Sequence, residues 1–104
     1  MAIRDEHSMS YDALMEILNT YTTRVRYIKT ENNTIALNQR IEGQPFILTV
    51  NDIECEVFDT YEFIKVKSFD PFNRKVYFSL IRMNDIRGVV IADKDTDIID
   101  GFRC

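Results

Sequence analysis

Tyr11-Asp-Ala-Leu-Met-Glu-Ile-Leu-Asn-Thr-Tyr-Thr-Thr-Arg-Val-Arg-Tyr-Ile-Lys29 changes its hydrophobic period midway, and that change decides the fold class. Tyr11, Leu14, Met15, Ile17, Leu18 and Tyr21 recur at three- and four-residue spacing, which places them on one face of a helix. Ser10 is positioned to cap it, so the spacing predicts a helix over 10–22. From Thr23 to Lys29 the pattern alternates. Val25 and Tyr27 are expected on one side and Arg24 and Arg26 on the other, as in a strand.

Downstream the chain reads as strands and turns. Glu31-Asn-Asn-Thr34 is a turn cluster, and Ile35 and Leu37 begin a second strand that runs toward Ile41. Phe46 to Val50 and Ile53 to Phe58 are two apolar runs around Asn51-Asp52, read as a hairpin. In the next run the apolar positions are 61 and 63, then 64 and 66, a slip that predicts a bulge or bend near Phe63. Asp70-Pro-Phe-Asn-Arg74 is a loop, after which Val76, Phe78 and Leu80 resume the alternation. Gly88 to Ala92 is a short last strand.

Nothing after Thr23 has the length and period of a crossover helix, which excludes a parallel α/β fold. The expected class is therefore α+β: an N-terminal helix followed by a small antiparallel β-barrel or a strongly bent sheet, SH3- or Sm-like. A chain of 104 residues supports one core. The expected organisation is a single domain over 1–104, with a flexible arm at 1–9, the helix at 10–22, the β-structure at 23–92 and an acidic tail at 93–104.

Hydrophobic residues at 45% and charged residues at 29% are ordinary for a folded protein and exclude wholesale disorder. The net charge of −4 gives no global attraction to polyanions. No run approaches the length of a membrane helix, and the first residues lack a secretory signal, so no membrane contact and a cytoplasmic location are expected. Cys55 and Cys104 form no CxxC pair, and Cys55 alternates with Ile53 and Val57 as a buried thiol would. Thirteen isoleucines with many Asn, Lys, Tyr and Phe suit an A/T-rich coding genome, such as that of a low-GC bacterium or its phages.

Phe69-Asp70, followed after a loop by Ile81-Arg-Met-Asn-Asp-Ile86, resembles the last strands of the WYL-domain family of bacterial Sm-like barrels, where a helix also precedes the first strand. Ile64, Lys65 and Val66 stand where that family has its Trp-Tyr-Leu triplet. The YolD-like family of small proteins from low-GC bacteria ends in a similar pattern. Both resemblances imply regulation linked to a ligand or a nucleic acid, and Arg82 is the residue they nominate as a ligand contact.

Catalytic machinery is not legible. Asp93, Asp95 and Asp97 open like a calcium loop, but Ile98 stands where the turn needs Gly and Cys104 where it needs a bidentate Glu, so a solvated acidic turn is the better reading. Glu54, Glu56 and Glu62 have spacing compatible with a shared outer strand face, as solvated strands commonly do. The one histidine, His7, lies in the expected arm, and no Walker loop, GxGxxG or zinc spacing occurs. A non-enzymatic protein with no cofactor is expected.

Charge is banded. Residues 51–70 carry six acids and two bases, and 71–90 carry four bases and one acid. Arg24, Arg26, Lys65, Lys67, Arg74 and Lys75, interleaved with Tyr27, Phe72 and Tyr77, could line a groove for single-stranded nucleic acid, although solvated strand faces give the same pattern. Phe72 sits in a loop where exposure is expected, and exposed aromatics anchor protein interfaces. Phe72, Arg74 and Tyr61 are the expected partner-binding residues, and Arg24, Arg26 and Arg82 the nucleic-acid- or ligand-binding ones. Ile98, Ile99 and Phe102 make the tail apolar enough to dock on its own chain or on another copy, which leaves a homo-oligomer open. The leading expectation is a small accessory or regulatory protein, of a kind found in phages or mobile elements, that binds another protein and modulates it. The alternative is a nucleic-acid- or small-ligand-binding barrel of WYL type.

Overall fold

The computed structural model describes residues 9–44, 46–94 and the backbone of 99–100. Helix α1 spans Tyr11–Tyr21. Ser10 caps it through its hydroxyl, which accepts from the Ala13 amide at 3.2 Å. Its expected apolar face is the face that packs, with Leu14 and Leu18 fully buried. A 3₁₀ turn at Thr22–Arg24 leads into β1, Val25–Thr30. β2 is Thr34–Ala36, β3 Gln39–Arg40, β4 Ile53–Phe58, β5 Tyr61–Asp70, β6 Lys75–Arg82, β7 Ile86–Ile91 and β8 Ile99–Asp100.

The described strands form two antiparallel three-stranded sheets, ordered β2-β1-β7 and β4-β5-β6, and a short parallel pair, β3·β8. The class is α+β, with two separate sheets rather than one closed barrel. One hydrophobic cluster joins them. Leu14 and Leu18 of α1, Val25 and Ile28 of β1, Ile53 of β4, Ile64 and Val66 of β5, and Ile86 of β7 meet there with Leu37, Leu48, Val50 and Met83.

Three local expectations need correction. Phe46 to Val50 does not pair with Ile53 to Phe58: Val50–Asp52 is a 3₁₀ turn, closed by reciprocal bonds between Thr49 and Asp52, and β4 pairs with β5 instead. The strand expected from Ile35 toward Ile41 is broken at Asn38, whose φ of 57° lies in the left-handed region. The predicted bulge near Phe63 is absent, because β5 pairs without a register shift along its length. Tyr61 and Phe63 lie on one face and Ile64 and Val66 on the other, so the slip in the sequence marks a strand with apolar residues on both faces. Register shifts lie instead in the β1·β7 pair, between Val25 and Tyr27, where Arg26 is the extra residue, and between Lys29 and Thr30, where Arg87 is. The first shift brings Val25 and Ile28, rather than Val25 and Tyr27, into the core.

Candidate partner-binding face

The β4-β5-β6 meander is built by two tight connections. Asp59, with φ 58°, turns β4 into β5, so that Phe58 pairs with Tyr61. The second turn is held by Asp70, whose carboxylate accepts from the Phe72 amide at 2.8 Å, the Asn73 amide at 3.3 Å and the Asn73 side chain at 2.7 Å. The Asn73 side chain first, and then the Phe72 amide, hold the Asp70 carboxyl below the usual carboxylate range. Phe72 is thereby presented at the tip with 94% of its surface exposed.

Register and strand alternation define two faces. Ile53, Cys55, Ile64, Val66, Ser79 and Ile81 share the inner face, and Ser79 and Ser68 meet there at 3.3 Å. The outer face carries Phe58 beside Tyr61, then Glu56, Phe63 and Arg82, then Glu54, Lys65 and Leu80, then Lys67 and Phe78, and last Phe69 and Val76. Glu62 pairs with Val57 on the inner side, so the three glutamates expected on one face are divided between two.

The outer face is apolar and open. Phe58, Tyr61, Val76, Phe78 and Leu80 are each about half exposed, and Tyr77 and Val57 are equally open on the other side. Beyond Lys67 the ribbon has lost β4, since β4 begins at Ile53 opposite Val66. Its distal part is a two-stranded arm with large side chains on both faces, held to the body on one side by an edge-to-face contact of Phe69 with Phe46 at 6.1 Å. Cations crown the rings: the Arg82 guanidinium lies 5.1 Å from the Tyr61 centroid and the Lys65 ammonium 4.8 Å from that of Phe78. Lys65 also meets Glu56 at 3.7 Å, and Lys67 meets Asp52 at 3.1 Å.

Tyr61 and Arg82 are thus brought into contact. Phe72 and Arg74 stand at the other end of β5, about 30 Å away along a ten-residue strand. Arg24 and Arg26 belong to the region of the other sheet. The Arg24 guanidinium donates to the carbonyls of Ala92 and Asp93, both at 2.9 Å, and lies over Tyr21. Arg26 is 5% exposed and donates to the Thr23 carbonyl. Asp95 and Asp97 of the acidic tail, and His7 of the N-terminal arm, lie outside the described residues. Burial pushes the Cys55 thiol up, as does the charge of Glu62, while its hydrogen bond with Tyr11 opposes the rise; this disfavours a thiolate nucleophile.

Sequence reasoning missed Val57, Phe58, Phe78 and Leu80 as surface residues, and named Tyr77 only as a groove aromatic. The available signal was Val76-Tyr77-Phe78, three successive large side chains on a strand, which cannot all face one core. Comparison of the chain with family models, with curated proteins and with solved structures finds no match in any of the three.

Proposed function

We propose that this chain is a small non-enzymatic accessory protein that binds another protein and modulates it, using the outer face of β4-β5-β6 and the arm that ends at Phe72. One observation carries the reading. Of the nine large apolar side chains exposed among the described residues, eight lie between Val57 and Leu80. Apolar residues scattered singly over a surface are ordinary, whereas a concentration on one element marks an interface. A two-stranded ribbon is also marginal in water, and among the described residues the distal arm is held to the body by the Phe69–Phe46 contact, so a partner that covers it adds stability. Val57, Val76 and Leu80 favour protein over nucleic acid, because aliphatic side chains offer bases no stacking surface. The cytoplasmic setting and the phage or mobile-element type rest on the sequence.

The test is affinity purification from the expressing cells, comparing wild type with Phe78→Ser combined with Leu80→Ser. The expected result is a stoichiometric protein that survives nuclease on wild type and is lost on the variant, with both showing the same circular dichroism. Equal capture by the variant, or release by nuclease, would refute the reading.

A second reading, a regulatory protein of WYL type that binds nucleic acid or a small ligand, draws support from Arg82 over Tyr61 and Lys65 over Phe78 on one open face. It requires an affinity for oligothymidine that falls steeply with salt and falls further in Arg82→Ala.

A further inference from the structure

β6 is an edge strand. It bonds β5 on one side, and among the described residues no backbone hydrogen bond reaches its other side. Its C-terminal end, from Leu80 to Arg82, borders the Thr30–Asn33 turn across a concavity of about 250 Å³ that Lys75 to Ser79 do not line. Edges are usually short, charged along their length or covered, because their open amides and carbonyls template pairing with another chain. This edge is eight residues long and has Val76, Tyr77, Phe78 and Leu80 about half exposed.

Charge is confined to the ends of the strand. Arg74 and Lys75 stand at one end and Arg82 at the other, with no acid anywhere from 71 to 84, in a chain whose net charge is −4. We infer that β6 takes up an extended segment of the partner protein by strand addition, and that this segment is apolar in its middle and acidic at both ends. The inference rests on the protein-binding reading above and adds to it the mode and the chemistry of the partner. Lys75 and Arg82 are seven residues apart, about 24 Å at the rise of a strand, so the acids on the partner stand about six to eight residues apart. Main-chain bonds to β6 supply affinity, and the flanking charges set specificity and favour encounter. A second copy of this chain fits the edge worse. Antiparallel pairing of two β6 strands about Phe78 brings Arg82 of each copy beside Arg74, the turn residue that precedes β6, of the other. Nucleic acid leaves the open amides and carbonyls of β6 without a use.

The test is fluorescence anisotropy with a labelled synthetic peptide of alternating valine and threonine flanked by paired glutamates. The wild-type protein is expected to bind it about tenfold or more tightly than the same peptide flanked by lysines. Arg74→Glu, Lys75→Glu and Arg82→Glu together, all at exposed positions and keeping like charges at each end of a β6–β6 pair, are expected to reverse that preference. Two further peptides carry N-methyl groups on alternate amides, one on the odd set and one on the even. Strand addition uses one set only, so one peptide loses binding and the other keeps it. Equal binding by the two methylated peptides overturns the inference. So does an unreversed preference, the absence of glutamate-peptide binding up to about millimolar concentration, or binding of oligothymidine in its place. Should the peptide fail while Phe78→Ser with Leu80→Ser still loses the cellular partner, strand addition is wrong and the protein-binding reading stands.

Discussion

Asn38 ties the end of the helix to the first sheet. Its side-chain amide donates to the Thr22 carbonyl at 2.8 Å and the Val25 carbonyl at 2.9 Å, while its own amide donates to Leu48 at 2.7 Å. It is 4% exposed, so the two carbonyls have little water to replace it. Asn38→Ala loses both bonds and places a Cβ residue without a polar side chain in the left-handed region. The expected cost is about 2–4 kcal/mol by urea denaturation. Asn38→Gly relieves the backbone part and should recover about 1 kcal/mol of it. Equal stability of the two variants would mean that the left-handed backbone carries no cost. Asp70 governs the tip in a different way. A carboxylate held below its ordinary value contributes above that value, and the contribution is lost as pH falls through the lower folded one. The Phe72 and Asn73 amide resonances are therefore expected to titrate with a midpoint below that of an ordinary aspartate. A midpoint at or above the ordinary aspartate value would mean that Asp70 does not hold the turn.

At the scale of elements, what a period can and cannot reveal becomes visible. Helix α1 was legible because its six apolar residues fit one helical face, and Ser10 marked its start. The strands of the second sheet were legible as strands, but their orientation was not. Period two says that Val76, Phe78 and Leu80 share a face, and it says nothing about which face meets the core. Here the apolar stripe faces solvent, and its neighbours Ser79 and Ile81 are the more buried. The shift at Arg26 left no mark, since a polar residue in an alternating strand is where a polar residue belongs. β3·β8 joins two-residue strands far apart in the chain, too short for any pattern. The inner and outer faces differ measurably. Ile64→Ala empties a fully buried site and should cost about 2–5 kcal/mol, whereas Leu80→Ala should stay within about 1 kcal/mol. Similar losses at both positions would show that the outer face is covered within the monomer.

For the whole molecule, the arrangement of charge bears on why an open apolar edge need not drive self-association. Two β6 strands related by a two-fold axis normal to the sheet keep their outer faces aligned only in registers where a residue meets its own copy. Centred on Phe78, that register sets Val76 against Leu80, a favourable pair, and brings Arg82 beside Arg74, the turn residue before β6, at both ends, an unfavourable approach of like charges. On that arrangement the cations are expected to guard an edge that is otherwise self-complementary. Arg74→Glu converts both terminal repulsions into attractions. Sedimentation equilibrium is expected to find wild type monomeric at low ionic strength and Arg74→Glu shifted toward a dimer, by about tenfold or more in the association constant. Salt should act in opposite directions, loosening the Arg74→Glu dimer while easing wild-type pairing, because about 1 M salt shortens the screening length to about 3 Å. Adding Arg82→Glu to Arg74→Glu restores like charges at each end and should return the monomer. That reversal separates the pairing of these two side chains from any general effect of removing a cation. A double variant as dimeric as the single one would place the contact elsewhere than β6.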